Sequence, residues 1–76
     1  MFERLRELRE DHDLSQTDIA NYLGCSQSVY SRYESGERIL PVDVLIRLAQ
    51  YYGVCTDYIL GLTNHTEPYP MEKRNI

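Results

Sequence analysis

Gln27, Ser28 and Arg32 are the residues whose types and spacing carry a recognisable chemistry. They sit in the run Ser26-Gln27-Ser28-Val29-Tyr30-Ser31-Arg32-Tyr33-Glu34-Ser35-Gly36. A carboxamide, a hydroxyl and a guanidinium carry hydrogen-bonding groups at their tips, and such groups can read the edges of bases. Ser26 is a good N-cap and Gly36 a good C-terminal stop, so the spacing predicts a helix over 27–35. On that helix Tyr30 and Tyr33 fall inward, while short polar groups and one Arg fall outward. A helix that only covers a core usually exposes Glu and Lys; this one exposes Gln, Ser, Ser and Arg. The competing reading of the same residues is a plain solvated face.

Something must hold that helix in place, and the residues before it supply a candidate. Ser15 caps a predicted helix over 16–23, in which Ile19, Ala20 and Leu23 form one apolar stripe. Gly24 follows, where a left-handed residue can end the helix and turn the chain sharply. Gly24, Cys25 and Ser26 then make a short turn into the next helix. A helix-turn-helix unit needs these features together: a small residue at the helix contact (Ala20), a permissive residue at the bend (Gly24), and apolar positions on the second helix facing the first (Tyr30 and Tyr33).

At 76 residues the chain is one small domain with room for a modest helical core. No apolar run approaches the ~18 residues of a membrane span. Met1-Phe2-Glu3-Arg4 offers no apolar signal region, which leads to the expectation of a cytoplasmic protein. Cys25 and Cys55 are far apart, and His12 and His65 add no ligand pattern. The cysteines read as small buried or half-buried residues in a reducing compartment, with no metal and no cofactor implied. Asn64-His65-Thr66 matches a glycosylation sequon, read here as chance. The net charge is −4, which opposes a nucleic-acid partner at first sight. Residues 1–38 hold five Arg against eight acids. Glu7, Glu10, Asp11 and Asp13 belong to the first helix and its end, a segment free to face away from DNA if the surface around Arg32 and Arg38 is positive.

The remaining pattern is helical throughout, without strands or repeats. A first helix is expected over 2–12, with Leu5 and Leu8 on a stripe that Phe2 extends; Asp13 ends it and Leu14 drops into the core. Pro41 suits the first position of a fourth helix. That helix runs to about residue 52, with Val42, Leu45, Ile46, Leu48 and Ala49 apolar, and Gly53 ends it. Thr56 or Cys55 caps a short fifth helix over 57–60, with Asp57 placed for the helix dipole, and Gly61 stops it. Tyr22, Tyr51 and Tyr52 read as packing residues or as part of a helix-pair surface. Tyr58, Ile59 and Leu62 either form a dimer face or close the core. From Thr63 on, polar residues, Pro68, Pro70 and charges predominate, which divides the chain into a domain over 1–62 and a mobile tail over 63–76, with Lys73 and Arg74 simply solvated.

Together these residues resemble the Cro/CI (Xre-type) helix-turn-helix family, the small repressors of bacteria and their phages. The fragments that carry the likeness are Glu7-Leu8-Arg9, Leu14-Ser15-Gln16, Ile19-Ala20, Leu23-Gly24, Ser31-Arg32-Tyr33-Glu34-Ser35-Gly36, Leu48-Ala49 and Asp57-Tyr58-Ile59-Leu60-Gly61. The resemblance implies an all-α, five-helix, lambda-repressor-like DNA-binding domain whose third helix enters the major groove. It implies base reading by Gln27, Ser28, Val29 and Arg32, where Gln27 can pair with adenine, Val29 can touch a thymine methyl, and Arg32 either reads guanine or binds phosphate. It implies phosphate contacts from Gln16, Ser26 and Arg38. It also implies a buried ion pair between Arg9 and Glu34 that locks the first helix to the third. Tyr30 departs from the family's usual Ile, Val or Leu, and its hydroxyl needs a partner. Cys25 stands where Val is common, and Cys55 where a capping Ser is common.

The function expected on this basis is sequence-specific binding of double-stranded DNA for transcriptional control. The expected agent is a homodimeric repressor on a palindromic operator, with residues 51–62 as the first candidate for the dimer surface. No small-molecule ligand and no membrane partner are implied. The rival, motivated by the acidic charge, is a protein-interaction module on the same fold, an antitoxin or adaptor. An enzyme finds no support, since the chain has no Ser/His/Asp set, no Gly-rich phosphate loop and no metal cluster.

Overall fold

The computed structural model describes residues 2–68. Five helices follow one another: α1 (Glu3–Asp11), α2 (Gln16–Leu23), α3 (Gln27–Ser35), α4 (Val42–Tyr52) and α5 (Thr56–Ile59), with no strand among the described residues. Local chemistry sets most of the boundaries. Asp13 ends the α1 corner in the left-handed region, at φ 56°. Ser15 opens α2 with a reciprocal cap: its hydroxyl accepts from the Asp18 N–H at 3.0 Å, and the Asp18 carboxylate accepts from the Ser15 N–H at 2.8 Å. Those bonds hold the Asp18 carboxyl below the usual range, with the backbone bond from Ser15 the main cause. Gly24 sits at φ 76° and closes α2, and Ser26 opens α3 by accepting from the Val29 N–H at 3.2 Å.

The core is built from Leu5 and Leu8 of α1, Ile19, Ala20 and Leu23 of α2, Tyr30 and Tyr33 of α3, and Leu48, Ala49 and Tyr52 of α4, closed by Val54 and Ile59. Leu14 packs half-buried against it. Ala20 is buried in that core, and its carbonyl accepts from the Cys25 N–H at 3.0 Å, which ties the turn to the first helix of the pair. Tyr30 is fully buried in place of an aliphatic residue. Its hydroxyl and that of Tyr52 are buried without hydrogen bonds of acceptable geometry. Burial, first of all, raises the pKa of both phenols, so both stay neutral.

The second half departs from the sequence pattern in three places. Pro41 is the extended residue before α4 (ψ 148°) rather than its first helical residue, and its carbonyl accepts the first helical bond, from the Leu45 N–H at 2.9 Å. Val42 and Ile46 are not core residues: they lie on the flank of the α4 stripe and are 71% and 45% exposed. α5 spans Thr56–Ile59, one residue earlier than expected; Cys55, one of the two expected residues, holds the N-cap position but makes no side-chain cap bond. Ile59 closes the core, whereas Leu62 is exposed and Tyr58 lies half-buried beneath Arg4.

Residues 63–66 are also not free of the body. Arg4 stacks on the Tyr58 ring at 4.2 Å and donates to the carbonyls of Tyr58 and Thr63 and to Asn64 Oδ1. The Cys55 N–H donates to the Thr66 carbonyl at 3.0 Å, and the Cys55 thiol to the His65 carbonyl at 3.4 Å. Apart from the Asn64 side chain, these partners are backbone carbonyls met by distant residues, and a polar composition says nothing about them. Residues 69–76, with the expected solvated Lys73 and Arg74, lie outside the described residues. Both cysteines are free thiols, Cys55 buried and Cys25 half-buried.

Candidate nucleic-acid interface

α3 owes its position to three anchors. Tyr30 and Tyr33 bury its inner side, the bond from the Cys25 N–H to the Ala20 carbonyl ties the turn before it to α2, and Glu34 pairs with Arg9 of α1. The Arg9–Glu34 pair is two-pronged, with Nε to Oε2 at 2.7 Å and Nη2 to Oε1 at 3.2 Å. Arg9 Nη1 also donates to the Leu14 carbonyl at 2.9 Å, so one guanidinium joins α1, its following corner and α3. Burial pushes the Glu34 carboxyl up, but the hydrogen bonds from Arg9, the neighbouring Tyr30 hydroxyl, the hydrogen bond from Gln16 and the Arg9 charge outweigh it and hold the group below its ordinary pKa. Its hydrogen bond to Glu34 is the main reason Arg9 holds its proton more tightly than usual.

From that pair a chain of amides runs outward. Gln16 Nε2 donates to Glu34 Oε1 at 3.3 Å, and Gln27 Nε2 donates to Gln16 Oε1 at 2.6 Å. Gln16 and Gln27 are the first residues of α2 and α3. Their contact brings two helix N-termini together, and helix N-termini attract anions.

Gln27, Ser28 and Arg32 are exposed along α3, and Arg38 is exposed in the loop after it. Arg32 and Arg38 form no ion pair among the described residues, and the Arg38 N–H donates to the Arg32 carbonyl at 3.2 Å. Ser26 is exposed, with its oxygen accepting the cap bond and its O–H left to donate. Val29 differs from the others: it is half-buried and packs against the core.

Sequence reasoning passed over Arg6, and it set Ser31 among the outward groups of α3 without giving it a role. Both line a polar groove of about 280 Å³ with Phe2, Glu3, Gln16, Glu34 and Ser35. The available signal was the i, i+3 spacing of Ser28 and Ser31, which puts Ser31 on the same side of α3. Arg47 was missed as well. It lies over the Tyr22 ring at 5.2 Å and donates to the Tyr22 and Leu23 carbonyls at 2.9 and 3.2 Å, so α4 satisfies the C-terminus of α2. Tyr22 and Tyr51 meet beside it at a tilt of 47°, with centroids 4.6 Å apart.

The sequence pattern of the helix-turn-helix family matches residues 5–59. The chain belongs to the Cro/CI-type helix-turn-helix family of transcriptional regulators. This Cro/CI-type chain is 40% identical over 74 residues to the uncharacterized HTH-type transcriptional regulator YobD of Bacillus subtilis (strain 168), covering 97% of this chain and 65% of that protein. Identity to the cryptic phage CTXphi transcriptional repressor RstR of Vibrio cholerae is 35% over 51 residues, covering 67% of this chain and 46% of that repressor. Identity to the HTH-type transcriptional regulator ImmR of Bacillus subtilis (strain 168) is 36% over 58 residues, covering 76% of this chain and 46% of that regulator. The Cro/CI-type chain thus spans less than two thirds of the length of these relatives. No solved structure matches it. The family is one of DNA-binding regulators, not enzymes. No described helix is long and apolar enough to cross a membrane.

Proposed function

We propose that the chain is a cytoplasmic, homodimeric repressor that reads a palindromic operator by placing α3 in the major groove. The observation that carries the reading is the hydrogen-bonded Gln16–Gln27 pair at two adjoining helix N-termini, flanked by exposed Arg32 and Arg38. In this reading Gln27, Ser28 and Arg32 meet base edges, with Val29 limited to a thymine methyl at the edge of its packing. Gln16, Ser26 and Arg38 meet phosphates. Two copies of α3 then occupy successive major grooves about 34 Å apart, and a polymerase is excluded from the site. The exposed Tyr51, Leu60 and Leu62 support a dimer surface over 51–62.

The test is selection from a random duplex pool, with the winners' affinity measured at two salt concentrations. An enriched palindrome, bound more weakly at higher salt and no longer distinguished by Arg32→Ala, supports the reading. Sedimentation as a monomer throughout the binding range removes the two-fold arrangement. The second reading, a protein-interaction module, is favoured by Ile39 and Val42, which are 89% and 71% exposed beside the exit of α3. A folded protein that enriches no duplex turns the reading to that module.

A further inference from the structure

The chain Arg9–Glu34–Gln16–Gln27 has a direction, and the direction has a consequence for base choice. An ionised carboxylate only accepts hydrogen bonds. Glu34 already receives two from Arg9, and it receives a third from Gln16 Nε2. Turning the Gln16 amide over would set its oxygen against the carboxylate, so the Gln16 oxygen faces away, toward Gln27. That oxygen accepts from Gln27 Nε2 at 2.6 Å. Gln27 therefore keeps one N–H and its whole carbonyl oxygen for an outside partner. One donor beside one acceptor is the complement of adenine in the major groove, which shows the N7 acceptor and the N6 donor. Guanine shows two acceptors there, N7 and O6, and meets only one donor.

We propose that Glu34 is a positioning residue for base specificity: through Gln16 it fixes which way the Gln27 amide faces, and so makes α3 select adenine over guanine at the base that Gln27 meets. The inference rests on the base-reading role proposed above for Gln27. The depressed pKa of Glu34 agrees with it, because only the ionised carboxylate imposes the direction. The ion pair with Arg9 then has two consequences at once, joining α1 to α3 and setting the sense of a hydrogen-bond chain that ends at the protein surface.

The experiment uses the full chain and a duplex from the selection, varied through all four bases at each position of the half-site. Gln27→Ala first locates the position that Gln27 reads, as the one whose base preference flattens. At that position the unaltered protein is expected to favour adenine over guanine by about tenfold or more. Gln16→Lys keeps the Arg9–Glu34 pair but offers only donors. The lysine then donates to both Glu34 and Gln27 Oε1, both Gln27 N–H groups turn outward, and the preference is expected to invert toward guanine. An added cation strengthens phosphate binding for every sequence alike, so the ratio of affinities is the quantity read. Glu34→Gln permits both directions, and the adenine preference is expected to shrink to about threefold or less; a merely destabilised protein loses affinity for all four bases together. If Glu34→Gln does not fold, Gln16→Lys decides alone. An unchanged ratio in the folded variants, or a guanine preference in the unaltered protein, overturns the role of Glu34 while base reading by Gln27 stands. If Gln27→Ala flattens no position, the base-reading role itself fails, and the inference with it.

Discussion

The α2–turn–α3 unit and the α4–α5 region bury comparable residue types, yet they are specified in different ways. In the first, each boundary has its own chemical cause: a reciprocal Ser15–Asp18 cap, a left-handed Gly24, a Ser26 cap and a left-handed Gly36. In the second, a left-handed Gly53 ends α4 and a left-handed Gly61 follows α5, but both helices begin without a side-chain cap bond, α5 is a single turn, and long-range contacts from Arg4 and Arg47 hold the region to the rest. Local signals fix both ends of each helix in the α2–turn–α3 unit, whereas the helix starts of the second region depend on what they are packed against. Single substitutions should therefore reach further in the first region than in the second.

The largest expected effect is at the joint between α1 and α3. Glu34→Ala leaves Arg9 largely enclosed without its partner (side chains 13% and 6% exposed) and should lower stability by about 3–5 kcal/mol in denaturant unfolding. For a domain of this size that approaches the whole of its stability. If the variant unfolds like the parent, the pair does not hold the recognition unit and the contrast between the regions collapses.

The same group sets an acid limit. The folded-state pKa of Glu34 is depressed, so its contribution is fully present above the ordinary carboxylate pKa of about 4.3 and is lost as pH falls through the lower folded value. Thermal melts between neutrality and pH 3 should show a falling midpoint at the acid end. The fall should be shallower in Glu34→Ala, if that variant folds.

A smaller effect is expected at the turn. Gly24 lies at φ 76°, and an added Cβ would meet nothing within 4 Å. Gly24→Ala therefore carries only the backbone penalty, about 1–2 kcal/mol, readable as a lowered melting midpoint. A larger loss would mean that the turn is packed more tightly than its open surroundings indicate.

The smallest effect should come from the other region. Val42→Ala removes methyl groups that are already mostly in solvent and should change unfolding free energy by no more than about 0.5 kcal/mol. A loss above 1 kcal/mol would mean that the outer flank of α4 is covered in solution, sharpening the case for an interface there.

The α2 and α3 bounds were legible because caps and left-handed residues act within a few positions of the chain. Tyr30 and Tyr33 were legible as inward residues for a similar reason, since a 3.6-residue period fixes which side chains share a face. Periodicity also grouped Val42 and Ile46 with Leu48, although two of the three are exposed. A stripe shows which residues share a side of a helix, but not how far a neighbour extends along it. The ties of residues 63–66 to Arg4 and Cys55 were not legible at all, because carbonyls leave no trace in side-chain order. The exposed polar face of α3 could be read from residue types alone. The link from Glu34 through Gln16 to Gln27 could not, because it joins residues 18 and 11 positions apart whose amides meet only when α2 and α3 are packed. Sequence thus determined the helices and the chemistry that α3 presents, through interactions that reach about one turn. Tertiary packing decided which of those groups are held, and in which orientation, because a hydrogen bond has a direction and its partner must be brought into place.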